Sequence, residues 1–165
     1  MTPPPVGDAQ SLVAARRWAV DGGDSRRGRE VFQGNGDCQR CHGGGGGGHG
    51  GGVGPALDGI SERGVEHVLA SMLSPQAEIA DGFATITVTR RDGGVVTGLL
   101  VGDDDEGLRL DVGEGQIESI GPGDVAARTT PTTGMPAMGL VLPARDLRDV
   151  VAYVMSLSLE ETADE

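Results

Sequence analysis

Four aromatic rings, Trp18, Phe32, Phe83 and Tyr153, are all that this 165-residue chain has with which to fill a core. Aromatic side chains bury the largest apolar areas and normally dominate a hydrophobic interior. Their scarcity predicts that some other large, flat apolar body stands in for them. Thirty glycines and nine prolines approach the share at which unpatterned composition suggests disorder. The glycine is concentrated between Cys38 and Pro55, however, and the remainder suits one globular domain or a small domain carrying an insertion.

Thirteen basic residues, all arginine, face 25 acidic ones, for a net charge of −12. Neutralising phosphates needs a basic surface, so the balance argues against a nucleic-acid partner. With no lysine, Schiff-base chemistry is excluded. No apolar run approaches the roughly 20 residues of a membrane span. The opening MTPPPVGDAQ lacks a basic segment followed by an apolar one, so any export signal is expected to have been removed.

Periodicity divides the chain. Ala9 to Val20 reads as a short helix with Leu12, Val13 and Trp18 for burial, ended by Asp21-Gly22-Gly23-Asp24. A second helix is expected from Ser25 to Phe32, capped by Asp24 or Ser25. The tract from Cys38 to Pro55, broken by His49, must be a loop, because polyglycine cannot offset its own ordering entropy. Val65, Val68, Leu69, Met72 and Leu73 then recur at the three- and four-residue spacing of an amphipathic helix, stopped by Ser74-Pro75.

From Phe83 the period becomes two. Ile86 and Val88 alternate with threonines, Arg91-Asp92-Gly93-Gly94 turns the chain, and Val95–Val101 returns. Asp103-Asp104-Asp105-Glu106 makes the next turn; Leu108, Leu110 and Val112 alternate; Gly113-Glu114-Gly115 leads into Gln116–Ile120. Four short strands are expected in succession. A last helix starts at Pro143 and runs to about Leu157, carrying Leu147, Val150, Val151 and Val154 on one side.

The only two cysteines lie in Cys38-Gln39-Arg40-Cys41-His42. This CxxCH spacing is that of c-type haem attachment. Two thiols three positions apart can each form a thioether with one haem vinyl group, and the following imidazole comes up beneath the iron as an axial ligand. The porphyrin would then be the missing apolar body. Three other readings stand beside this one. A thioredoxin-like redox pair would want a βαβ context, which the pattern lacks. A zinc site from Cys38, Cys41, His42 and His49 has the right ligand types, on an unusual frame of adjacent ligands and a polyglycine spacer. A disulfide across two residues would be strained.

A second axial ligand would come from the methionines or the remaining histidines. Met135 is the first choice, held in Thr132-Thr133-Gly134-Met135-Pro136 just before the last helix, and Met138 is the runner-up. Met72 and Met155 sit on apolar helix faces, where methionine fills core gaps. His67 is expected on a solvated face, and His49 lies in the glycine tract.

CxxCH, Gly54-Pro55-Ala56-Leu57, and Gly134-Met135-Pro136 before a helix ending in Val151-Ala152-Tyr153-Val154 appear in the order of a class I cytochrome c, which the chain resembles. More narrowly, Val68-Leu69-Ala70-Ser71-Met72-Leu73-Ser74-Pro75-Gln76-Ala77-Glu78-Ile79, then Gly82-Phe83, the strand block and the Met-Pro loop resemble the planctomycete- and verrucomicrobial-type haem-binding domain. That resemblance covers roughly residues 24–157. It implies a mainly α cytochrome c fold with a small antiparallel β insertion, α+β overall. The domain would span 24–157 with the insertion at 83–125, after an N-terminal extension, 1–23, and before an acidic tail, 158–165.

The resemblance makes Cys38 and Cys41 the thioether attachments of one haem c, His42 the proximal ligand and Met135 the distal one. Pro55 would accept the second ring N–H of His42, Leu57 would pack on the haem, and Gly28 and Phe32 would cross the last helix near Tyr153. Two departures are the glycine-rich tract from Gly43 to Gly52 and Thr133, where the family carries serine.

The function so implied is transfer of one electron between redox partner proteins, with no substrate turned over. A dehydrogenase, fused or separate, is the donor that the family suggests. The alternative is an open-site haem sensor or small peroxidase-like protein in which Met135 is weakly bound or absent. Thioether attachment implies a periplasmic or secreted location. The β block would be a scaffold over one haem edge or, alternatively, a docking surface marked by its acidic turn.

Overall fold

The computed structural model describes residues 9–42 and 54–157. The expectations for His49, for most of the glycine tract and for the acidic tail lie outside them. The chain divides into two compact units: a helical one made of Met1–Glu78 and Met135–Glu165, and a sheet unit, Ile79–Gly134.

In the helical unit the first expected helix is two pieces. Helix α1, Ala9–Ala15, stops before Arg16, and Arg17–Ala19 continue as a 3-10 turn. The change buries Ala19 and packs Leu12, Val13 and Val20 on the core, but leaves Trp18 46% exposed, against the expectation that it would be buried. Helix α2, Ser25–Gln33, starts where expected, because the Asp24 carboxylate accepts the backbone N–H groups of Arg26 and Arg27 at 3.0 and 3.2 Å. These are two of the donors that a helix start leaves without intrahelical partners. Helix α3, Val65–Leu73, buries Val68, Leu69, Met72 and Leu73. A four-residue helix α4, Met138–Val141, precedes α5, Ala144–Met155. Pro143 caps α5 from outside its first turn rather than opening it.

Helices α2 and α5 cross at Gly28. A Cβ there would overlap the Asp149 carbonyl oxygen and stand 2.7 Å from Tyr153 Cβ, so only glycine lets the backbones meet this closely. One turn further on, the rings of Phe32 and Tyr153 meet edge to face, with centroids 5.3 Å apart. Around this contact Val31, Leu147, Val150, Val151, Val154 and Leu157 form the centre of the core.

The sheet unit has five strands where four were expected. Strands β1 (Thr85–Arg90), β2 (Val95–Asp104), β3 (Gly107–Asp111) and β4 (Ile117–Ile120) form an antiparallel meander. A 3-10 turn at Pro122–Asp124 then brings β5, Val125–Arg128, back to pair with β1, giving the order β4-β3-β2-β1-β5. The fifth strand extends the unit past Val125. Its sequence, Val-Ala-Ala-Arg, has only one β-branched residue, so pairing with β1 rather than its own propensity makes it a strand.

The β1–β2 turn closes with Gly93 at φ 91°, a conformation that suits glycine. Arg90 on β1 forms an ion pair with Glu118 on β4 although two strands separate them in the sheet. Flat neighbours stand about 4.8 Å apart, so such a pair requires the sheet to curl. The curl encloses Ile86, Val88, Leu108, Leu110 and Ile120, all nearly inaccessible. At the neck of the unit Thr85 and Thr132 exchange backbone hydrogen bonds of 2.7 and 3.0 Å, pinning its two ends side by side.

Candidate cofactor site

Helix α2 delivers the CxxCH segment through a tight exit. Gly34 and Gly36 donate their N–H groups to the carbonyls of Glu30 and Val31, both at 2.8 Å, and Asp37 takes the left-handed conformation at φ 48°. A Cβ on Gly36 would stand 2.7 Å from Val31 O and 3.2 Å from Cys38 Sγ, so the exit has no room for a side chain there. Cys38–Arg40 then form a 3-10 turn, with the N–H groups of Cys41 and His42 both donating to Cys38 O at 3.1 and 2.9 Å. A 3-10 turn repeats every three residues and so carries Cys38 and Cys41 on the same side. Both are free thiols, and both are partly buried. Burial pushes the Cys38 thiol up to about 11, with smaller contributions from the neighbouring Asp37 and Cys41 and against the lowering effect of a backbone hydrogen bond.

His42 is oriented from the other end of the glycine tract. Its Nδ1 lies 2.8 Å from the carbonyl oxygen of Pro55. A carbonyl can only accept, so Nδ1 carries the proton and Nε2 keeps its lone pair as a ligand atom. Gly54 completes the fit: its N–H donates to Cys41 O at 3.0 Å, and a Cβ on it would stand 3.0 Å from His42 Cε1. The closeness of residue 54 to the ring is a feature that motif reading missed. Its one signal in the sequence is a glycine directly before the accepting proline.

Cys38, Leu57, Ile60, Val65 and Met135 are partly buried at the margin of the helical core. Met138, the runner-up ligand, is instead buried within that core. His67 is less solvated than expected, 21% exposed, with Nδ1 at 3.7 Å from Glu78 Oε2. Arg63 donates to the other oxygen of Glu78 at 2.6 Å and holds that carboxyl below its usual range.

Behind the site lies a charged network. Asp149, 1% exposed, accepts the N–H of Asp24 at 3.0 Å and faces Arg27 Nε at 3.4 Å, with Arg145 and Arg148 each at 3.8 Å. Asp146, also buried, pairs through Oδ1 with Arg27 and accepts Asn35 Nδ2 on Oδ2 at 3.0 Å. A buried carboxylate is stable only when so compensated.

A covalently held haem needs two thiols on one side of a turn, an imidazole with a free Nε2 and an apolar surround. Cys38, Cys41, His42 and the flanking Leu57, Ile60 and Val65 fit that requirement. Among the described residues no three histidine, cysteine, aspartate or glutamate side chains gather as a metal-binding group; His49, the fourth member of the zinc reading, lies outside them. Of the acidic turn on the sheet unit, Asp103 pairs with Arg128 at 2.6 Å and Asp104 with Arg109 at 2.9 Å, so half of its charge is answered within the sheet itself.

Residues 25–93 match the family model described as Cytochrome c. The match holds the CxxCH segment and supports a class I cytochrome c, and with it haem binding, iron and electron transfer in company with redox partners. It covers less than half of the chain and ends in the β1–β2 turn, short of Met135 and α5. The sheet unit, standing between the two stretches of the helical unit, separates them in sequence. No curated protein matches the chain. No helix among the described residues is long and apolar enough to cross a membrane.

Proposed function

We propose that this chain is a single-haem c-type cytochrome that carries one electron between redox partner proteins. Cys38 and Cys41 hold the haem c through thioethers, His42 and Met135 are its axial ligands, and Leu57 packs on it. The observation that carries the reading is the hydrogen bond from His42 Nδ1 to Pro55 O, which leaves Nε2 as the only ligand atom of a ring fixed beside the two thiols. The haem supplies the Fe(III)/Fe(II) couple, and histidine–methionine ligation raises its potential. The protein's part is to fix the imidazole, offer a thioether and keep water from the iron with an apolar surround.

The interrupted helical unit and the order of its motifs support the narrower planctomycete- and verrucomicrobial-type domain. By that analogy the donor is a dehydrogenase, fused or separate, and the compartment is the periplasm or the cell exterior, where thioether attachment takes place.

The test is the visible spectrum of the purified protein, oxidised and reduced. A c-type spectrum is expected, with the long-wavelength ferric band of a thioether on iron. That band should vanish in Met135→Ala and persist in Met138→Ala. A c-type spectrum without it would transfer the reading to the open-site sensor or peroxidase-like protein, and a colourless protein would overturn both.

A further inference from the structure

The two proposed axial ligands come from distant parts of the chain, and a bond from Met135 to iron requires their segments to keep a fixed register. The His42 segment leaves α2 through Gly34-Asn35-Gly36-Asp37; the Met135 segment ends, through α4, in the first turn of α5. Asp146 stands in that first turn. Its carboxylate is nearly buried and divided between two partners: Oδ1 takes Arg27 from the body of α2, and Oδ2 takes Asn35, three residues before Cys38, at 3.0 Å. The neighbouring Asp149 already ties the start of α2 to α5 through Asp24 N–H and Arg27. The helix pair would therefore stay joined without Asn35. What the Asn35–Asp146 bond adds is a hold on the exit turn itself, the one segment between the α2–α5 crossing and the CxxCH turn.

We propose that Asp146 is a positioning residue for the haem site, acting through Asn35 to register the turn that enters Cys38 against the helix that follows the Met135 loop. This rests on the function proposed above. Losing the hold lets the proximal side shift relative to the distal side, which weakens the bond from Met135 to iron while leaving attachment at Cys38 and Cys41 intact. An external ligand that competes with Met135 reads this directly, because its apparent affinity follows the fraction of molecules in which the methionine position is open.

The experiment is a titration of the ferric holoprotein with imidazole, followed at the long-wavelength band. Asn35→Ala is expected to bind imidazole about fivefold more tightly than the parent, the fold-change carried by one hydrogen bond of ordinary net strength. Haem content and the reduced spectrum should be unchanged. Asp146→Asn should shift in the same direction, and the double variant should shift by less than the product of the two. Arg29→Ala, at an exposed position of α2, should bind as the parent does.

Parental affinity in Asn35→Ala would overturn the proposal, as would an equal shift in Arg29→Ala, or a loss of thermal stability in Asn35→Ala with no change in imidazole binding. Should Asp146→Asn fail to fold, Asn35→Ala, at an exposed position, decides alone. A parent protein without the thioether band fails at the first spectrum and overturns the proposed function. A parent with the band and an unresponsive Asn35→Ala overturns only this inference.

Discussion

The helical unit and the sheet unit solve the problem of a chain poor in aromatics in opposite ways. The sheet unit is made from one continuous stretch, Ile79–Gly134, in which consecutive strands pair by short turns and the curl encloses a few β-branched and leucine side chains. It needs nothing from elsewhere in the chain to make that core. The helical unit is assembled from two stretches and brings α2 and α5 together over a glycine, with two carboxylates buried beside the crossing and answered by a partly exposed arginine. Charge is distributed to match. The sheet unit has four arginines against ten acidic residues and keeps the pairs Arg90–Glu118, Arg109–Asp104 and Arg128–Asp103 partly exposed, whereas the described helical residues have nine arginines against ten and use Arg27 to hold buried Asp146 and Asp149. The unit that can fold locally has its charge at the surface. The unit that must close over a distance carries polar registration inside.

The largest break in this comparison is expected from Gly28→Val. The added branches would collide with the Asp149 backbone, which cannot rotate away as a side chain would, and the cost should be roughly 3 kcal/mol or more. Haem incorporation should fall sharply, while the isolated segment 79–134 should still unfold cooperatively by circular dichroism. A non-cooperative isolated sheet would break the comparison, because the core of Ile86, Val88, Leu108, Leu110 and Ile120 would then not suffice for the unit that holds it.

Next comes Leu110→Ala, at a fully buried position in the sheet. It should destabilise that unit by about 3 kcal/mol in urea titration and leave the long-wavelength ferric band unmoved. A changed band would mean that the sheet's core bears on the iron.

The smallest effect is a pH dependence confined to the helical unit before haem attachment. With the Cys38 thiol pushed up to about 11 from 9.0, the unfolded chain loses its thiol proton first as pH rises. The stability that Cys38 contributes is therefore fully present below about pH 9 and lost as pH climbs toward 11. Urea midpoints of the haem-free chain should fall across that window, and Cys38→Ser should flatten the fall.

Much of this was legible in the sequence where a local signal carried it. Helices α2, α3 and α5 show the helical spacing of apolar residues, Asp24 announces a cap, and the alternation around Arg91-Asp92-Gly93-Gly94 is a hairpin by its own composition. The CxxCH turn and the accepting Pro55 are similarly readable from adjacent residues. Strand β5 was not, since it owes its conformation to β1 across a long separation. The split of the first helix at Arg16 has no periodic signal either; it accompanies the burial of Ala19. The link from Asn35 to Asp146 joins residues 111 apart and has no periodic trace. Its only hint is that Asp146 and Asp149 are buried beside Leu147 and Val150, where a plain amphipathic helix would place apolar side chains.

The pair of backbone bonds between Thr85 and Thr132 has a consequence for the assembly of the helical unit. An unstructured tether as long as Ile79–Gly134 would oppose joining the two stretches with a closure entropy of about 3.5 kcal/mol from the logarithm of its length. Once the neck is pinned, only the few residues on either side of it remain as tether, and the same expression falls to about 2 kcal/mol. Folded first, the insertion acts on the rest of the chain as a short loop, so that the stretch with α4 and α5 searches for the stretch before the insertion from nearby rather than from the far end of a long coil.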